Sequence, residues 1–242
     1  MEFVSDPQWV VAIATVALTI ATLLLAIVAA FQDLIREAIR SPHLTVHFLQ
    51  SPPLSRLSFW RGSGLKKHRE AYVFHFDVRN EGTGRLVSLE AVVEEIWILH
   101  DSDRPEKVSD FYSTNLRYGG EGTRFIDLNP GRRIAWNIGH ISAKAHQAWH
   151  EKAIFHDVTP AKKGHLRFLL DLVEYPNGQA NCFPPGDYAI KIVFYSVNAN
   201  RVEQWLKIQW TGQWRSSPVD MFDEIIITPI PALDEWLEKK AA

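Results

Sequence analysis

Residues Trp9 to Phe31 form one apolar run with no charged side chain in it. About 23 residues at the helical rise of about 1.5 Å give roughly 35 Å, enough to cross a bilayer. The small residues of the run are ordered. Ala12, Thr15, Thr19, Thr22, Ala26 and Ala29 recur at alternating steps of three and four, which is the seam of a heptad pattern. The larger Ile13, Val16, Ile20, Leu23, Leu24 and Ile27 lie off that seam. The expectation is a single transmembrane helix with one small, partly hydroxylated stripe. Such a stripe suits close helix–helix packing in a homo-oligomer, and it also suits the lining of a narrow oligomeric pore. Threonine can instead bond a carbonyl of its own helix one turn back, so the stripe does not by itself require water.

The flanks give the boundaries and the direction. Ser5 or Asp6 can cap the helix start, and Pro7 stands where a missing N–H costs nothing. The helical pattern continues through Asp33, Leu34, Arg36 and Arg40, and Ser41-Pro42 ends it, because proline disfavours helix in the residue before it. Asp33, Arg36 and Arg40 then form a charged collar in register with the seam. A cleaved signal peptide is the competing reading, with Val28-Ala29-Ala30 as a weak cleavage site. The segment before Trp9, however, carries Glu2 and Asp6 and no Lys or Arg, unlike a basic n-region. The far flank carries Arg36, Arg40, Arg56, Arg61, Lys66, Lys67 and Arg69. The positive-inside rule therefore places the N-terminus outside and the C-terminal bulk in the cytoplasm, with the chain a single-pass protein of the inner membrane. The single cysteine, Cys182, agrees with a reducing compartment.

From Pro42 onward about 200 residues remain, enough for one large domain or two small ones, and one is favoured because no linker-like stretch divides Pro42 to Pro229. Two domains are therefore expected, residues 1–41 as helix with its extension and residues 42–242 as a cytosolic β-sandwich. The formal net charge of −2 selects neither a nucleic acid nor an acidic partner. Period-two alternation marks Leu44 to Phe48 and Tyr72 to Val78, and the apolar stretches Val92-Val93 with Ile96 to Leu99, and Leu166 to Leu170, read as further strands. Pro130-Gly131 leads into Ile134-Ala135-Trp136, and Pro185-Gly186 leads into Tyr188 to Phe194. Trp205 to Trp210 and Ile225 to Ile227 complete about eight or nine strands, an antiparallel sandwich rather than a parallel α/β fold. Trp205 and Trp210 are five apart and so face opposite sides of a sheet, with Trp214 close behind. Ser142 to Phe155 and Pro231 to Lys240 read as helical, the latter with Leu233, Trp236 and Leu237 on one side.

The segment Phe76-Asp77-Val78-Arg79-Asn80-Glu81-Gly82, followed by an apolar strand and later by a strand led by Pro-Gly, resembles immunoglobulin-like sandwiches. The whole layout is similar to bacterial proteins with one N-terminal membrane helix and a cytosolic sandwich, and resembles membrane effectors of anti-phage systems such as the Hailong type. The resemblance implies an oligomeric membrane protein held in check by a nucleotide-synthesising, operon-encoded regulatory partner. It further implies a sandwich that senses a ligand and controls membrane permeabilisation. The alternative is a tethered binding or scaffold module that does no work on the membrane.

Chemistry is sparse along the chain. There is no P-loop, G-x-G-x-x-G, G-x-S-x-G or H-E-x-x-H, so no enzyme, cofactor or metal is expected. His146 and His150 are four apart with Glu151 beside them, and His140, His156 and His165 are near in sequence, but no third metal ligand stands out. Glu94 and Glu95 are adjacent, which on a regular strand turns them to opposite faces and prevents an acid–base pair. Cys182 has no adjacent base and reads as an inert thiol. The strongest binding signal is the basic stretch Arg56, Trp60, Arg61, Lys66, Lys67 and Arg69, with Phe59 and His68 inside it and Gly62-Ser63-Gly64 loosening it. Cations interleaved with aromatics can hold phosphates and stack a base of a nucleotide or oligonucleotide. They can also meet the anionic headgroups of the lipid bilayer. A solvated hairpin loop around a buried Trp60 is the plainer reading, since short basic runs are common on surfaces, and all three readings stay open.

Overall fold

The computed structural model of the chain describes residues 7–60, 69–99, 105–109, 111–119, 123–142, 166–173 and 181–241. It divides into two units, Met1–Ser41 and Pro42–Ala242. The first is the helix α1 (Pro7–Ile39), with Pro7 as its first residue and Pro42 shortly beyond its end. Its span Gln8–Gln32 has a mean hydropathy of 2.7 over its most apolar window, and none of that window is buried. It is long and apolar enough to cross a membrane. Leu18, Leu23, Leu24 and Leu25 are all more than half exposed. Leaving such side chains in water forgoes about 2 kcal/mol each.

The second unit is mainly β and holds two antiparallel sheets. Six strands form the first: β1 (Leu44–His47), β2 (Ser55–Trp60), β3 (Arg69–Asn80), β8 (Arg133–Ser142), β9 (Phe168–Leu170) and β10 (Cys182–Phe183). Their order is β1-β3-β8-β9-β10, and β2 follows β1 along the same edge of β3. Seven strands form the second: β4 (Leu86–Ile98), β5 (Glu106–Lys107), β6 (Thr114–Asn115), β7 (Ile126–Leu128), β11 (Gly186–Ser196), β12 (Ala199–Trp210) and β13 (Ile225–Ile230). Their order is β13-β12-β11-β4-β5, with β6 and β7 also on β4. The short helix α2 (Pro218–Glu224) precedes β13, and α3 (Leu233–Ala241) follows it.

Aromatic rings join the two sheets. Phe76 and Trp136 of the first sheet meet Phe194 of the second edge-on, at centroid distances of 5.2 and 6.1 Å. Phe183 meets Tyr188 in the same way at 4.9 Å. Each such pair adds about 1 kcal/mol to the area it buries. Trp210 points into this core and its indole N–H donates to the Leu166 carbonyl at 3.2 Å, while Trp205 lies on the opposite, outer face and is half-buried. Helix α3 sets its Leu233 into the fold and its Trp236 ring 5.3 Å from the Lys207 ammonium on that outer face.

Two local expectations are corrected. Ser142 is the last residue of strand β8, paired with Ala71, and not the start of a helix; residues 143–155 lie outside the described ones. Glu94 and Glu95 do not face opposite sides. The ladder between β11 and β4 pairs Lys191 with Glu95 and then Ile192 with Val93, so Glu94 is an extra residue in a bulge. A bulge sets two successive residues against one and turns both side chains to one face. Both glutamates are half-buried on the outer face of the seven-stranded sheet.

Candidate functional site

The helix seam is built by α1 alone. Ala12, Thr15, Thr19, Thr22, Ala26 and Ala29 are exposed, as are the larger residues between them. The three hydroxyls are already committed. Thr15, Thr19 and Thr22 each donate at 2.8 Å to a carbonyl four residues back, those of Val11, Thr15 and Leu18. What the seam offers a neighbour is therefore small size and close backbone approach more than unmet hydrogen-bonding capacity.

The basic stretch turns out to be anchored by a hairpin. β2 and β3 pair from Ser55 opposite Phe74 to Trp60 opposite Arg69, so Arg56 and Trp60 lie on one strand and Arg69 opens the other. Arg56 is exposed, and Phe59, three residues on and on the other face of the strand, is 63% exposed. Arg61, Lys66, Lys67 and His68 lie outside the described residues, as do His146, His150, Glu151, His156 and His165.

The outer face of the seven-stranded sheet carries a polar network that no motif announced. The Glu94 carboxylate accepts from the Tyr195 hydroxyl and meets the Lys191 ammonium at 3.1 Å. Lys191 also faces Glu203 at 3.5 Å, and Arg201 reaches Glu203 at 3.0 Å. Beside them Glu95 accepts from the Trp97 indole at 2.9 Å and pairs with Lys107 at 3.3 Å. Burial pushes the Glu94 carboxyl up, but the Tyr195 and Lys191 contacts outweigh it and hold the group below the usual carboxylate range. Burial also works against the Lys191 charge, and Glu94 and Glu203 together raise its pKa nonetheless. The hydrogen bond to Glu94, followed by burial, raises that of Tyr195. All three groups are thus fixed in their ordinary charge states at neutral pH. That suits a structural network and not proton transfer, which wants a pKa near the working pH.

On the six-stranded sheet the His140 Nδ1 lies 2.8 Å from the buried Asp171 carboxylate. An imidazole oriented by a carboxylate is two-thirds of a nucleophilic triad. Register places Cys182 on the same row, but two strands away, with Leu169 between. Two inter-strand spacings are about 10 Å, beyond hydrogen-bond reach, and the buried thiol instead contacts the Asn181 side-chain oxygen at 3.6 Å. Among the described residues no group of three or more His, Cys, Asp or Glu side chains is placed to hold a metal ion.

One shallow groove of about 340 Å³ opens where β4, β7 and the β11–β12 turn meet. Ser88, Glu90, Phe125, Tyr195, Ser196 and Val197 line it. Ser88 sits at a φ of 51°, uncommon for a residue with a side chain. Its N–H donates to Asp127 at 2.8 Å, which holds the backbone in that conformation. No protein-family model, curated protein or solved structure matches this chain.

Proposed function

We propose that this chain is a single-pass, self-associating membrane protein whose cytosolic sandwich senses a ligand and acts through its helix on the membrane. The observation that carries this reading is the 25-residue span Gln8–Gln32, with no part of its most apolar window buried, beside a separately folded β unit. A segment of that length and hydropathy is stable in lipid and costly in water. The cationic flank at Arg36 and Arg40 supports a cytoplasmic location for the β unit. The strand order supports an immunoglobulin-like assignment. β1-β3-β8 matches the order A-B-E of one immunoglobulin sheet, and β12-β11-β4 matches G-F-C of the other. With that assignment, the likeness to anti-phage membrane effectors extends the proposal. The sandwich would take a nucleotide-class ligand through the Arg56 to Arg69 hairpin, under control of a regulatory partner, and its response would open the membrane.

The test is expression in bacteria with a potential-sensitive dye. The full chain, released from its regulator or given its trigger, is expected to resist alkaline carbonate extraction and to depolarise cells. Deletion of residues 1–31 is expected to abolish both. Release of the full chain by carbonate, or depolarisation that survives the deletion, would count against the proposal.

A second reading, a membrane-tethered scaffold without pore activity, is favoured by one observation. The three seam hydroxyls spend their donors on their own helix, which suits a dry packed interface. In either case Thr19→Leu combined with Thr22→Leu is expected to reduce the size of the full-length assembly in detergent, measured by light scattering. The bulky side chains block close approach, and helix–helix terms of about 1 kcal/mol are easily outweighed. An unchanged mass would remove the seam from the interface. Anchoring and self-association without depolarisation would decide for the scaffold.

A further inference from the structure

A β-sheet ends in edge strands whose outward N–H and C=O groups invite a further strand. The seven-stranded sheet ends on one side in β13. The Thr211 N–H donates to the Glu224 carbonyl at 3.0 Å, one step beyond the pairing of Trp210 with Ile225. Opposed residues of an antiparallel ladder alternate between pairs that exchange both bonds and pairs that exchange none. Ile226 and Thr228 therefore bond inward to β12, while Ile225, Ile227 and Pro229 turn their backbone groups outward. No outward N–H is left open at these three positions. That of Ile225 donates to the Met221 carbonyl of α2. That of Ile227 donates to the Gln50 side-chain oxygen at 2.5 Å. Pro229 has none. The Gln50 amide nitrogen in turn donates to the Ile225 carbonyl at 2.5 Å. Gln50 comes from the connection between β1 and β2, strands of the other sheet.

A side-chain amide presents the same donor and acceptor as a peptide group, so Gln50 stands in for one residue of a neighbouring strand. The two groups it takes are those that a second β13 would use. Antiparallel pairing about a twofold at Ile226 sets Ile227 of each copy opposite Ile225 of the other. The Ile227 N–H of one copy would then donate to the Ile225 carbonyl of the other, in place of Gln50. The strand is otherwise suited to this pairing. Ile225–Ile230 carries no charge, so two copies meet without repulsion, and Ile225, Ile226, Ile227 and Thr228 are all β-branched. Ile226 is 43% exposed on the outer face and would be covered by its own counterpart. We propose that Gln50 is a guard that closes the β13 edge against strand addition by a second copy of this chain. Gln50 and β13 both belong to the unit Pro42–Ala242, so the guard acts whether or not α1 spans a membrane.

The test is disulfide capture of the full chain in detergent under mild oxidation, with Ile226→Cys as the reporter. Twofold pairing sets residue 226 of two copies directly opposite, within the Cα separation that a disulfide spans. The native Cys182 is buried, and the chain without the 226 substitution gives the background. With Gln50 in place, the dimer captured at 226 is expected to stay near that background. Gln50→Ala should raise it about tenfold, the factor that one backbone hydrogen bond supplies. Gln50→Met keeps the length and loses both bonds, so it should match alanine, and it carries the test if the alanine form does not fold. Gln50→Glu keeps an acceptor for the Ile227 N–H and should fall between. Val197→Cys, at the exposed turn between β11 and β12, reports association through any other surface and should not respond to position 50. Folded Ala and Met forms that capture no more dimer at 226 than the native side chain does would overturn the proposal. So would a rise at 197 equal to that at 226.

Discussion

Asn80→Ala is expected to lower the stability of the sandwich by about 3 kcal/mol, the largest loss from any single polar side chain here. Asn80 is 1% exposed. Its amide nitrogen donates to the carbonyls of Gly84 at 2.7 Å and Leu128 at 2.9 Å. Its oxygen accepts from the N–H groups of Gly82 at 3.1 Å and His43 at 3.3 Å. Truncation leaves those backbone groups without this partner in a place where water has little access, at about 1–3 kcal/mol for each that stays unsatisfied. Partial relaxation and water entry bring the sum down. In a domain of this size the loss corresponds to a fall in Tm of about 10 °C, readable by thermal unfolding of the detergent-solubilised protein. Asn80→Asp separates hydrogen bonding from shape. It has the same outline, but an ionised carboxylate cannot donate to two carbonyls, so it should also be destabilising, and more so at pH 7 than at pH 4. An Asp variant as stable as the native chain would mean that the amide does not hold this end together.

The same residue marks how far sequence reading reaches. Asn80-Glu81-Gly82 reads as a turn after an alternating strand, and the chain does turn there. Nothing in the three letters tells that the asparagine side chain faces inward and joins the entry strand to two other loops, since its partners Leu128 and His43 are distant in sequence. Among the long strands, β3 is legible from seven alternating residues, Tyr72 to Val78, and β11 from the Pro185-Gly186 turn signal ahead of an apolar run. β5, β6 and β10 have two residues each and β7 three, too few for any period to appear. β2 was hidden because its residues read as part of a basic loop. The Glu94–Glu95 pair fails for a different reason. A bulge is a property of register between two strands, so adjacency on one strand misreports which face each residue takes. The seam of α1 is fully legible as spacing. That its hydroxyls are turned back onto their own carbonyls is a matter of rotamer, which spacing does not encode. Of the basic stretch, the pattern was plain, and the hairpin that positions Arg56 against Val73 was not.

Asp77 gives the second large effect, and its direction with pH follows from its surroundings. The carboxylate is 4% exposed and accepts from Arg79 Nε at 2.9 Å, Arg79 Nη2 at 2.6 Å and Arg133 Nε at 2.6 Å. Burial pushes its pKa up, but the hydrogen bonds and charges of the two arginines outweigh burial and hold it below the usual range. A carboxyl whose folded pKa lies below its unfolded value of about 3.9 stabilises the fold fully above that value. The contribution is lost as pH falls from about 5 through the folded pKa. Asp77→Asn keeps the shape and removes the charge. At pH 7 it is expected to cost about 2 kcal/mol, the scale of charge-assisted hydrogen bonds whose arginine partners remain half-exposed. It should cost progressively less as pH falls toward and through the folded pKa, where the native carboxyl takes up its own proton. Urea unfolding across pH 2 to 7 would read this as two stability curves that converge in acid. Curves that stay parallel would mean that Asp77 contributes through shape alone. The arginines freed by the substitution stay on the surface rather than in the core, which is why the loss is smaller than for a fully buried ion pair.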